Sequence, residues 1–249
     1  KLCPNYLFLS RDQSLLYSNW ADLVWVEPGY PGGARSFFTA HDPWTLEEKW
    51  RVEVPSALGH WALHPSGRYA FCSVFDRMQV VRVDLETREL AFIGVDSLGG
   101  HGIKISRDGR TCYGSSVMTG DFWEIDTATL KRIRTFGFPA AVRPFALTQD
   151  GRYAFVQNSH LHGFHKFNLQ DWRIEDTVHL PENPPGTPVE ARWPFTVDHG
   201  MYITKGEKYI VCLATTGNEV YFLDFASFDV KARIRVGIEP SYLVPNPAG

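Results

Sequence analysis

What this sequence has little of bounds it first. Only four cysteines occur among its 249 residues, with no CxxC pair and no Cys/His spacing of a zinc module. A fold built on disulfides or on a structural metal is therefore excluded. No apolar run approaches the roughly 18 residues that a membrane-crossing helix needs, so membrane insertion is not expected. Formal charge is only −3 and no block of like charge stands out, which argues against non-specific nucleic-acid or membrane-surface binding. The phosphate-binding glycine loops, the G-x-S-x-G elbow and the CxxCH haem attachment are also missing.

What is present is a globular composition, 44% hydrophobic and 14% aromatic, with 21 Gly and 16 Pro. Cys72, Cys112 and Cys212 sit in apolar runs, whereas Cys3 does not, and the three are expected to be buried thiols acting as small hydrophobes. Free thiols suit a reducing compartment, but a periplasmic protein also carries them. The start at Lys1, without methionine, is what a processed terminus leaves. The expectation is a soluble protein of cytoplasm or periplasm.

Apolar-alternating segments end in Asp42, Asp84, Asp126 and Asn168, each 42 residues after the last, and then in Asp224, 56 further on. The excess of 14 matches a Pro-rich insertion from Pro181 to Pro194. Each repeat has four short runs rich in Val, Ile, Phe, Tyr and Thr, bounded by turn residues and too short for helices. A polar turn such as Ser106-Arg107-Asp108-Gly109 separates the first two, and the Asp or Asn starts the turn between the last two. Four antiparallel strands at a fixed period predict an all-β fold, a β-propeller of four-stranded blades in one domain. The predicted blades span about 1–57, 58–98, 99–140, 141–192 and 193–238. Residues 239–249 open a further one with Ser241–Pro245 as its first strand. The expectation is a full protein of six or seven blades, or a leftover strand that closes the ring.

The repeats resemble those of the YVTN-type β-propeller family. The likeness is carried by the run from Gly100 to Gly109 (GHGIKISRDG), by Trp123-Glu124-Ile125-Asp126-Thr127-Ala128-Thr129, and by Val236-Gly237-Ile238-Glu239-Pro240 at a blade junction. The resemblance implies the propeller fold. It leaves several functions open, because the family includes binding scaffolds, subunits of redox enzymes and relatives of lactonases and lyases.

In a propeller, the start of each first strand and the loop between second and third strands surround one channel mouth. Counting back from the turns places Asn5, Gly59-His60, His101, Arg143, Asp198-His199 and Ser241 there, with His160-Leu161-His162 in a loop on the same face. Imidazoles gathered in this way bind Zn or Cu or act as general acid or base. His60, His101, His162 and His199 are therefore the candidate metal ligands, with a divalent Zn or Cu as the candidate cofactor. His101, His199 and Asp198 are the candidates for catalysis, Asp198 either as a base or as the partner that orients His199. Arg143 is placed to hold an anionic ligand, or to pair with Asp198 or Glu239. Trp20 and Trp25 belong to an aromatic loop, residues 19–35, that with the Pro181–Pro194 insertion is expected to serve as a lid or docking surface.

These features suit a binding propeller that presents a His/Arg-lined mouth to a small ligand or protein partner. The alternatives are a metal- or histidine-assisted hydrolase, lactonase or lyase at the same mouth, and a propeller subunit of a redox complex.

Overall fold

The computed structural model describes residues 2–22, 35–183, 185–189 and 196–243. These form five four-stranded antiparallel sheets, each in simple sequence order, as expected of a propeller. No helix among the described residues is long and apolar enough to cross a membrane. The chain divides into two compact units, Lys1–Thr135 and Phe136–Gly249.

The first unit holds three sheets. They are β1–β4 (Leu2–Leu9, Leu16–Asp22, Ser36–His41, Glu48–Val54) and β5–β8 (Leu58–Leu63, Tyr69–Val74, Gln79–Asp84, Leu90–Gly94), followed by β9–β12 (Gly100–Ile105, Thr111–Ser116, Asp121–Asp126, Lys131–Gly137). Strand β12 runs two residues past the boundary. The second unit holds β13–β16 (Val142–Leu147, Tyr153–Asn158, Gly163–Asn168, Arg173–His179) and β17–β20 (Met201–Ile203, Tyr209–Ala214, Glu219–Asp224, Val230–Arg235). Successive sheets meet through their first strands: β1 with β5 and β5 with β9 in one unit, β13 with β17 in the other. We call these the inner strands.

Strand β6 is apolar on both faces because its sheet packs against a neighbour on either side within the first unit. In β6, Ala70, Cys72 and Val74 join Tyr17, Phe38 and Trp61 in one core, while Phe71 joins Ile103, Cys112 and Trp123 in the next. Phe155, Phe164, Cys212 and Tyr221 do the same between the two sheets of the second unit. Cys72, Cys112 and Cys212 are buried free thiols, and burial pushes all three thiols up.

The repeated Asp or Asn works as its sequence position implied. Asp42, Asp84, Asp126, Asn168 and Asp224 each accept two backbone N–H groups, from the second and third residues beyond them. Four residues after each, the chain turns through positive φ at Leu46, Arg88, Leu130, Trp172 and Phe228. No glycine stands at any of these positions. The side-chain bonds hold a conformation that L-residues otherwise avoid by about 1–2 kcal/mol.

The further strand expected at 241–245 is not paired as one over the described residues 241–243. Instead, Thr215 Oγ1 donates to the Pro240 carbonyl (2.8 Å), and His199 Nδ1 lies 2.9 Å from that of Ser241.

Gly114 on β10 lies opposite Trp123 on β11, and the fully buried indole occupies the space of a side chain. A Cβ at Gly114 would stand 2.6 Å from the Trp123 ring. Gly114→Ala is therefore expected to lower stability by about 1–3 kcal/mol through overpacking. Urea unfolding followed by tryptophan fluorescence would read this as a lower midpoint at unchanged slope.

Candidate functional site

The inner strands share an irregularity that no sequence pattern announces. On β5 the register with β6 breaks between Leu58 and Trp61, so that Gly59 and His60 face the single residue Ser73. On β9 the same break sets His101 and Gly102 against Ser115, and on β13 it sets Arg143 and Pro144 against Gln157. On β1 it falls between Pro4 and Tyr6, with Tyr6 opposite Asn19. Such bulges re-aim side chains and recur beside functional sites. Here they carry the histidines and the arginine.

In the first unit the bulges bring three side chains together. The Tyr6 hydroxyl lies 2.8 Å from His60 Nε2 and 3.0 Å from Nδ1, so it serves one ring nitrogen at a time. The His60 and His101 rings have centroids 4.1 Å apart. All three residues are partly open to solvent. Their backbones are fixed from below by two fully buried polar side chains. Asn19 accepts the Tyr6 N–H (3.2 Å) and donates to the Gly59 carbonyl (2.7 Å). Ser73 Oγ lies between two carbonyls, 2.7 Å from that of His101 and 3.2 Å from that of His60.

In the second unit Asp198, His199 and Arg143 are buried, whereas His162 is partly exposed. Asp198 is fully buried, 3.0 and 3.1 Å from His162 Nδ1, and accepts the Gly163 N–H at 2.7 Å. His162 Nε2 lies 2.8 Å from the Pro181 carbonyl. A carbonyl only accepts, so Nε2 carries a proton, and a second proton lies between Nδ1 and the carboxylate. Burial works against a charged His162, but the Asp198 hydrogen bond and charge outweigh it and raise its pKa. Burial pushes the Asp198 carboxyl up, while His162 and the Gly163 N–H pull it down.

Gly163 has φ of 142°, and a Cβ there would meet the Val178 carbonyl oxygen at 2.0 Å, so only glycine brings this N–H to Asp198. His199 behaves oppositely to His162. Burial, reinforced by the nearby Arg143 charge, pushes it down to about 4. Its Nδ1–H donates to the Ser241 carbonyl. Arg143, also buried, donates from Nε to Ser159 Oγ at 2.9 Å.

The structure thus groups His60 with His101, and His162 with Asp198. Asp198 is not the partner that orients His199, because its carboxylate serves His162 and Gly163. Among the described residues, no three His, Cys, Asp or Glu side chains converge as a metal site requires. Trp20 donates from Nε1 to Thr39 Oγ1 (2.9 Å) within its own sheet, and Trp25 lies outside the described residues. The Pro-rich insertion begins against the last sheet, where Asn183 donates to Thr216 Oγ1 (3.2 Å). Tyr6 was missed: counting from the turn pointed to Asn5, and the bulge between Pro4 and Tyr6 shifts the register by one.

No known protein family matches the sequence, and no curated protein matches it. Solved structures do match. One is a functionally unknown protein from Desulfotomaculum acetoxidans, with a TM-score of 0.68 at 12% identity, covering 96% of this chain and 73% of that one. Another is the hydrazine synthase of Kuenenia stuttgartiensis, with a TM-score of 0.61 at 17% identity, covering 96% and 88%. The shared fold is a β-propeller.

Two outcomes follow from the second unit. Asp198→Asn leaves His162 without its buried counter-charge and is expected to cost about 3 kcal/mol, read by chemical unfolding. The histidines should also titrate apart. The folded pKa of His162 is raised, so its contribution is complete below about pH 6.5 and fades as pH rises through the raised value. The folded pKa of His199 is lowered to about 4, so its contribution is present at neutral pH and is lost as pH falls from about 6.5 toward that value. NMR titration of the ring resonances should show His199 neutral at pH 5 and His162 protonated there.

Proposed function

We propose that the chain is a ligand-binding propeller whose site is the Tyr6–His60–His101 group at the bulged inner strands of the first unit. The observation that carries this reading is the contrast in exposure. These three side chains are polar, adjacent and partly open to solvent, yet their backbones are anchored by fully buried Asn19 and Ser73. Rigid support beneath an accessible polar cluster is what a preorganised binding site requires. A small polar molecule suits it, met by one hydroxyl and two imidazoles that each donate or accept. The YVTN-like repeats fit, since that family includes binding scaffolds.

Arg143, at the matching bulge of β13, and His199, just before β17, are buried, and we assign them to holding that unit together. The His162–Asp198 pair does not favour an enzyme, because both its ring nitrogens are engaged, with Asp198 and with Pro181.

The test is ligand-observed NMR of a library of small polar compounds against EDTA-treated protein. Compounds that bind the wild type and bind His101→Ala at least tenfold more weakly are the expected result. A set of binders indifferent to His101→Ala and Tyr6→Phe would place the ligand elsewhere and sink the proposal.

A further inference from the structure

We infer that the Tyr6–His60–His101 group is a copper site that takes Cu(II) through two neutral imidazoles and the Tyr6 phenolate. This rests on the reading of that group as the binding site and names what it binds.

The donor set selects the ion. A protein donor already in place beside the two histidines is the Tyr6 hydroxyl, within hydrogen-bonding distance of His60. Two nitrogens and one phenolate oxygen suit tetragonal Cu(II). Copper also binds such N/O sets more tightly than the other divalent first-row metals.

The spacing agrees with this. Imidazole nitrogens sit about 2 Å from a bound ion, so two rings at right angles on one ion have centroids roughly 4.5 Å apart. The observed 4.1 Å asks the rings to spread by a few tenths of an ångström.

The supporting shell is already built. The single Ser73 hydroxyl lies against the carbonyls of both histidines, and Asn19 links the Tyr6 backbone to the carbonyl of Gly59, next to His60. All three donors are thus fixed through two side chains. Binding is a plain ligand exchange without electron transfer: Tyr6 loses its hydroxyl proton to solvent, its oxygen and the two ring nitrogens bond copper, and waters leave the ion.

The experiment titrates EDTA-treated, buffer-exchanged protein with copper sulfate, followed by electron paramagnetic resonance and visible absorption. One Cu(II) per chain is expected, with hyperfine splitting from two imidazole nitrogens and a phenolate-to-copper charge-transfer band. Tyr6→Phe should abolish the band and keep the nitrogen pattern. His60→Gln/His101→Gln should weaken binding at least 100-fold. Ser73→Ala, a positioning change, should weaken it about 10- to 100-fold while circular dichroism stays that of the wild type.

Copper binding unchanged in the double variant, a charge-transfer band that survives Tyr6→Phe, or no stoichiometric copper in the wild type would each overturn the inference. If copper fails while metal-free protein still binds polar compounds through His101, the binding-site reading stands and only the metal falls. If both fail, both fall.

Discussion

The structure depends on one buried polar side chain opposite each inner-strand bulge. A bulge leaves backbone groups out of the ladder, and an unsatisfied buried carbonyl or N–H costs about 1–3 kcal/mol. In four of the five sheets the second strand places a polar side chain opposite the bulge, Asn19, Ser73, Ser115 and Gln157, and the first three bond a backbone group of their own bulge. Asn19 reaches the Gly59 carbonyl of the next sheet, Ser73 reaches that of His101, and Gln157 accepts the N–H of Gly200. Ser115 turns back to Gly102 in its own sheet at 3.5 Å. Asn19 and Ser73 thus serve their own bulge and the next sheet at once. Site geometry and sheet packing are thereby one problem with one solution.

This is why the fold was legible and the site only partly so. The 42-residue spacing of Asp42, Asp84, Asp126 and Asn168 reflects a turn whose side-chain bonds are local, so the pattern survives in the linear sequence. The bulges have no such mark. They arise from pairing between strands, and the serines and amides that support them look like any polar residue in a strand. A count back from the turn therefore found His60, His101 and Arg143, which share the register break, and slipped by one at Tyr6. The positive φ of Leu46, Arg88, Leu130, Trp172 and Phe228 was equally hidden, because the residue type there carries no signal of the turn it makes.

Asp198 shows a different limit. Its neighbour in sequence is His199, and a carboxylate beside an imidazole invites the reading of one orienting the other. In extended backbone, successive side chains point to opposite sides. Asp198 thus turns to His162, 36 residues away, and His199 turns toward the Ser241 carbonyl. Adjacency along the chain was the wrong measure of proximity.

The two histidines of the second unit then part in charge for reasons that residue type does not contain. His162 gains a buried carboxylate that outweighs its own desolvation, whereas for His199 the Ser241 hydrogen bond does not offset burial and the nearby guanidinium. Each is spent on internal bonds: His162 holds the start of the Pro-rich insertion through Pro181, and His199 holds the segment after β20 through Ser241. His60 and His101 stand instead at bulged inner-strand positions, with their backbones anchored and their rings partly in solvent. Engagement of the ring in internal bonds, rather than the presence of histidine, is what separates His162 and His199 from a side chain placed to meet a ligand.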